Sequence, residues 1–304
     1  MKRRTTWHAA WRSCAHTAAP LLLLVSCMTT FLPAASGEPL EALLRADLLD
    51  GRLDDLTLLE AALIAGGIDD TRALNHHVEA FARVEAALRR ELPDTASPQE
   101  RAEIVFRFLH TNVLTGPYAR DCMQVERSLR GEEYNCVTAT ILYQSLAAAA
   151  DLPTIAVSTP GHVFCRIPGD RDIETTCPDW FDRTESVSPL SSRARRDLNA
   201  AQLLAKVYYN RSVLLLGRGK FSPATRYLSL SISLDPHDAD ALENQCAAYN
   251  NWALECAAAG QYAKACSLLE QGRRINPYYE HFARNERHIR LLWTQAEGAS
   301  APGP

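Results

Sequence analysis

From Pro39 onward the apolar positions fall at helical spacing. Leu43, Leu44 and Leu48, then Leu58, Leu59, Ala62 and Leu63, recur three and four residues apart. Val78, Phe81, Ala82 and Leu88 mark a further helix, broken at Pro93-Asp94-Thr95-Ala96. Ser97-Pro98-Gln99-Glu100 is a helix start, with Ser97 as N-cap, proline at the first helical position and Glu100 reaching back to the cap. That helix turns Ile104, Val105, Phe108 and Leu109 inward and stops at Thr115-Gly116-Pro117-Tyr118. A short helix is expected over Met123 to Arg130. The most apolar helix of the chain follows, Cys136 to Ala150, with Asn135 as its N-cap. The pattern then shortens. Leu152 to Val157, Val163 to Ile167 and Ile173 to Thr176 read as strands, so a helical lead runs into a helix-then-sheet unit of α+β type.

The last third is periodic. Gly219-Lys220-Phe221-Ser222-Pro223-Ala224 and Gly260-Gln261-Tyr262-Ala263-Lys264-Ala265 correspond at an offset of 41, as do Asp235-Pro236 and Asn276-Pro277. Each unit reads as a helix, a glycine turn, an amphipathic helix and a closing proline. This resembles tetratricopeptide repeats, whose usual period is about 34. The excess predicts a lengthened first helix in the second unit. Ser212 with Ala224, and Ala253 with Ala265, are the small residues where paired helices touch. Tyr208, Leu215, Tyr249 and Cys256 are the large core positions. His281 to Gln295 is expected to cap the array. Because two repeats rarely stand alone, the array is expected to pack on the unit before it. The organisation expected is therefore an export signal over 1–36, an α+β domain over 38–185, a Ser/Arg-rich solvated linker over 186–197, repeats and cap over 198–296, and a disordered tail over 297–304.

The first residues change the compartment rather than the fold. Lys2, Arg3 and Arg4 precede a short apolar run, Leu21 to Val25, too brief to span a bilayer. Two cleavage readings stand. Leu24-Val25-Ser26-Cys27 resembles a bacterial lipobox, which would lipidate Cys27 and anchor the protein to a membrane. Ala34 to Ser36 fit an ordinary signal-peptidase site, which would release it. Either way the protein is expected outside the cytoplasm, with membrane contact only through Cys27. The 304 residues carry a formal net charge of −4, which speaks against a dedicated nucleic-acid binder. Of nine cysteines, Cys14 and Cys27 lie in the leader. The remaining odd number leaves at least one thiol without an intramolecular disulfide partner. No Cys/His spacing suits zinc, and neither a metal nor a cofactor is expected.

Chemistry concentrates between Glu133 and Thr176. Cys136 opens a helix, where unpaired N–H groups favour a thiolate, and its own N–H could serve as an oxyanion donor. His162 opens a strand after Thr159-Pro160-Gly161. If Pro168-Gly169-Asp170 is a three-residue loop, Arg166 faces Asp172, Phe164 faces Glu174 and His162 faces Thr176. Glu174 is then the diagonal neighbour of His162 on one face. Asp172, one pair further away, is the alternative orienter. Asn135 and Gln124 are candidates for oxyanion support.

Residues from about Leu56 to Phe181 resemble the transglutaminase-like superfamily and, within it, the SirB1 N-terminal domain family. The likeness rests on Asn135-Cys136-Val137-Thr138-Ala139-Thr140-Ile141-Leu142-Tyr143, on Leu152-Pro153, on Thr159-Pro160-Gly161-His162-Val163-Phe164, and on Ile173-Glu174-Thr175-Thr176. It implies a papain-like cysteine fold continuing into tetratricopeptide-like helices, with Cys136, His162 and Glu174 as nucleophile, base and orienter. The chain departs from the family in having glutamate where aspartate is usual, and in keeping a cysteine that many SirB1-like members lack. Two functions follow as expectations. One is a cysteine hydrolase or acyltransferase acting on peptide or protein amides. The other is a non-catalytic adaptor that grips a partner polypeptide through its repeats.

Overall fold

The structure, a computed structural model, describes residues 39–167, 171–182 and 195–300. The expected export signal with Cys27, the Pro168-Gly169-Asp170 turn and most of the expected linker lie outside the described residues. The lead comprises α1 (Leu40–Asp47), α2 (Leu58–Gly66), α3 (Thr71–Glu91) and α4 (Pro98–Asn112). The start of α4 is the expected capping box: Ser97 Oγ accepts from the Glu100 N–H, and the Glu100 carboxylate accepts from the Ser97 N–H at 2.8 Å. A short α5 (Val125–Leu129) precedes α6 (Cys136–Ala149).

Helix α6 is the centre of the molecule. Val137 to Tyr143 are all buried, with no polar face, because α2, α3, α4 and α5 lie on one side and the sheet on the other. Two polar residues inside that run find partners. Thr140 Oγ1 donates to the Val163 carbonyl at 3.4 Å and lies 3.1 Å from Thr175 Oγ1, while Thr138 Oγ1 accepts from Ser128 Oγ at 2.9 Å. These bonds fix where along the sheet the helix stands.

The sheet has four antiparallel strands: β1 (Ile155–Thr159), β2 (His162–Arg166), β3 (Asp172–Ile173) and β4 (Arg196–Leu198), in the order β3-β2-β1-β4. β1 and β2 form a hairpin closed by the Thr159–His162 pair, so Pro160-Gly161 is a two-residue turn. Gly161 has φ of 73°. A Cβ there would touch nothing within 4 Å, so the requirement is purely conformational. β3 holds the predicted register, Arg166 opposite Asp172. It is shorter than expected, since the chain turns at Glu174 rather than running extended to Thr176. β1 is displaced toward the hairpin from the expected Leu152–Val157. β4 was not expected at all: Arg196 and Asp197 from the end of the apparent linker, with Leu198 after them, pair with β1, and Arg196 grips the fully buried Asp235 with both terminal guanidinium nitrogens. A charged, serine-rich segment gives no hydrophobic alternation from which an edge strand could be read.

The repeats follow as α7 (Ala200–Gly217), α8 (Phe221–Leu234), α9 (Ala239–Ala258), α10 (Tyr262–Ile275) and a closing α11 (Glu280–Ser300). The small residues Ser212, Ala224, Ala253 and Ala265 are fully buried at the helix contacts, as the spacing predicts. The extra length belongs to both first helices, at 18 and 20 residues against 14 for each second helix. The closing helix continues through Glu297, where a disordered tail was expected. The array rests on the lead through α2 and α7. Arg211 of α7 donates to the Ala65 carbonyl and to Tyr227 Oη, and stacks over the Tyr227 ring at 4.1 Å. Among the described residues no helix is long and apolar enough to cross a membrane.

The segment before α6 is held by close backbone approach. Ala119 N donates to the Tyr134 carbonyl at 2.8 Å, and Tyr134 N donates to the Pro117 carbonyl at 3.3 Å. A Cβ on Gly116 would stand 2.2 Å from the Glu132 carbonyl oxygen, a rigid backbone atom. Gly116→Ala is therefore expected to lower stability by about 2–3 kcal/mol, read as a lower urea midpoint at unchanged slope. An unchanged midpoint would show that this approach is not required.

Candidate active site

Asn135 sets the start of α6. Its Oδ1 accepts from the N–H groups of Val137 and Thr138, both at 2.9 Å, and Thr138 Oγ1 returns a bond from the Asn135 N–H at 3.0 Å. Its Nδ2 donates to the Cys122 carbonyl. The carboxamide oxygen thus serves the cap, and one Nδ2 hydrogen serves the loop behind it. Gln124 lines a different cavity from Cys136, with Arg127, Arg211 and Tyr227. With Val137 and Thr138 served by the cap, the Cys136 N–H has no backbone partner among the described residues.

Cys136, His162 and Glu174 come together. His162 Nε2 lies 2.7 Å from Glu174 Oε2, and the ring shares one cleft with the Cys136 sulfur, close enough for the two to interact electrostatically. With Nε2 given to the carboxylate, Nδ1 is the ring atom left for the thiol. Glu174 is itself aimed: its other oxygen accepts from the Thr176 N–H at 3.1 Å and from Thr176 Oγ1 at 2.6 Å. The turn that shortens β3 supplies these bonds. His162 also stacks on the buried ring of Phe164, with centroids 6.1 Å apart. Asp172, the alternative orienter, is engaged elsewhere. It pairs with Arg195, while Arg166, its cross-strand neighbour, pairs with Asp197 on β4. The two cross-strand neighbours therefore pair not with each other but with Asp197 of β4 and with Arg195 just before it, which reach them from the far side of the sheet.

Burial opposes a charge on His162, yet its interactions with Cys136 and Glu174 outweigh it and hold the imidazole up at about 9. Burial likewise works against the Glu174 carboxylate. The His162 bond and charge and the two Thr176 bonds prevail and hold its pKa below the usual value. The protonated ring therefore stabilises the fold fully below its ordinary 6.5 and ceases to do so as pH rises through about 9. The Glu174 contribution is present above the ordinary 4.5 and fades as pH falls below it.

Cys136 and His162 open on a narrow cleft with room for about 80 Å³ of solvent. Thr159 and Ser158 of β1 line one side. Lys206, Tyr209 and Asn210 of α7 and Asp240 of α9 form the opposite wall. Sequence reasoning missed that wall and Thr159. The helical spacing placed the α7 residues on helices without saying which face meets the sheet, whereas Thr159 was already the partner of His162 in any two-residue hairpin. Cys122, Cys165, Cys246 and Cys256 are buried and form no disulfide, and burial pushes the Cys122, Cys165 and Cys246 thiols up, away from reactivity. Among the described residues no three His, Cys, Asp or Glu side chains are grouped as a metal site. No family model matches the chain, and no curated protein matches it.

Glu174→Gln keeps the shape and removes the charge. The His162 titration, followed by ring proton NMR, is expected to fall at least about one unit below its wild-type position, whereas Asp172→Asn leaves it in place. Equal shifts in both variants would count against Glu174 as the orienter.

Proposed function

We propose that the chain is a cysteine-dependent acyl-transfer enzyme built on a transglutaminase-like unit, acting on peptide or protein amides outside the cytoplasm. One observation carries the reading: a single imidazole, hydrogen-bonded to a carboxylate aimed by two further bonds, shares a cleft with a thiol at a helix start. The leader of basic and apolar residues supports export, and the resemblance of the motifs around Cys136 and His162 supports the superfamily.

In this mechanism His162 Nδ1 takes the Cys136 proton, giving a thiolate–imidazolium pair. The sulfur attacks the amide carbonyl, and the oxyanion lies at the Cys136 N–H, which the cap has left free. The C–N bond breaks as His162 returns its proton to the departing nitrogen, leaving a thioester. Water or an amine then attacks, gives a proton to His162 and releases the sulfur. Glu174 keeps Nε2 protonated and stabilises the charged ring throughout. The raised imidazole pKa fits this work, since the ring must carry a proton while the sulfur does not.

The narrowness of the cleft favours a second reading, in which the repeats and the α+β unit together hold a partner polypeptide without chemistry. Alkylation separates the two. Under the enzymatic reading, Cys136 reacts with iodoacetamide at pH 7 at least about 10-fold faster than Cys177 or Cys266, as mapped by peptide mass spectrometry. His162→Ala removes that advantage, and the wild-type rate profile shows a change in ionisation near pH 9. Indistinguishable rates at the three cysteines would leave the adaptor.

A further inference from the structure

Thr159 carries an unmet hydrogen bond beside the candidate nucleophile. It is 5% exposed, and its Oγ1 has no partner. A buried hydroxyl left in this state is costly, and neighbouring side chains normally relieve it. Here the residue lines the same cleft as Cys136 and His162. Thr159 and His162 are the closing pair of the β1–β2 hairpin, so their side chains lie on one face of the sheet, with Thr159 on the side of His162 away from β3 and Glu174.

That placement indicates which part of a substrate meets the hydroxyl. In acyl transfer the carbonyl oxygen lies toward the helix start, at the Cys136 N–H. The nitrogen that leaves or attacks must lie against His162, which exchanges its proton. A primary amine or primary amide nitrogen carries more than one hydrogen, and His162 handles one of them. We propose that Thr159 Oγ1 accepts a hydrogen bond from another, making Thr159 the residue that binds the amine side of the reaction. The rest of that amine then runs between β1 and the wall formed by Lys206, Tyr209 and Asp240, so the repeat helices contact the amine half of the substrate. This rests on the acyl-transfer reading above.

The step balances without any outside reagent. The amine nitrogen attacks the thioester carbon, one of its hydrogens passes to His162 Nδ1, the C–S bond breaks, and the electron pair returns to Cys136 as thiolate. The hydrogen held by Thr159 stays on nitrogen in the amide product. The hydroxyl gains its bond when the nucleophile arrives, and the bond strengthens as the nitrogen becomes positive in the transition state.

The test uses the full chain and p-nitrophenyl acetate, which acetylates Cys136 with a leaving oxygen that has no hydrogen to offer. Methylamine or dimethylamine is then added as acceptor. The p-nitrophenol burst reports acylation, and the later steady rate reports transfer. In Thr159→Val the burst rate should stay within about 3-fold of wild type, while transfer to methylamine falls about 10-fold. Thr159→Ser should restore transfer to within about 3-fold. Wild type should prefer methylamine to dimethylamine, whose single hydrogen goes to His162, and the valine variant should lose most of that preference. This comparison also guards against misfolding, because the wild-type half needs no substitution. Equal loss of both steps in the valine variant, undiminished transfer, or absence of any amine preference in wild type would overturn the inference while leaving the acyl-transfer reading in place. Absence of a wild-type burst that depends on Cys136 would overturn that reading, and the inference with it.

Discussion

Burial of α6 is the constraint on which the rest of the structure depends. Ile141, Leu142 and Tyr143 are fully buried, and burying each such side chain is worth about 1.5–3 kcal/mol. A helix apolar on every side must be enclosed on every side, so the lead helices and the sheet gather round it. Solvent reaches it at its first turn, where Cys136 stands, and again in its last turns, where Ala148 is exposed. The buried hydroxyl of Thr140 then removes the freedom to slide, since its bonds reach the Val163 carbonyl next to His162 and the Thr175 hydroxyl next to Glu174. One residue, a turn below the sulfur, thus ties the helix to β2, which carries His162, and to the turn that carries Glu174.

Electrostatics follows from that enclosure. His162 and Glu174 are only 18% and 13% exposed, so their interaction is weakly screened, and the bond of 2.7 Å outweighs the cost of keeping either charge from water. An imidazole pushed up to about 9 is held in its charged form by its neighbours rather than by solvent. The short β3 contributes directly. By turning at Glu174 instead of continuing extended, the chain brings the Thr176 N–H and hydroxyl back onto the carboxylate. A longer strand would have spent that N–H on the ladder or on water.

The repeat helices are part of the same construction. Arg196 links β4 to Asp235 at the turn between α8 and α9, Arg211 links α7 to α2, and Lys206 reaches Asp238 at 2.7 Å. These charge-assisted contacts bring the first helices of the array against the mouth of the cleft. A unit that would otherwise need more copies to stand alone instead uses the α+β unit as its missing neighbour.

Much of the molecule was legible in local chemistry. The Ser97 capping box, the cap at Asn135, the glycine at the hairpin turn, the helix-pair spacing of the repeats and the Arg166–Asp172 register all follow from interactions between residues close in the chain, where geometry is nearly fixed by covalent connection. Through that register, the meeting of Glu174 with His162 was legible too. Other features were not. Asp172 could be placed opposite Arg166 but not paired with Arg195, and Arg196 and Asp197 looked like solvated linker. Each of these depended on what a distant segment brought alongside, and side chains choose among competing partners by distances that only the assembled fold defines. The cleft itself belongs to that second class. Its wall of Lys206, Tyr209 and Asp240 stands opposite Cys136 because a sheet and the first helices of the array were packed together, and no pattern within either one specifies the other's position.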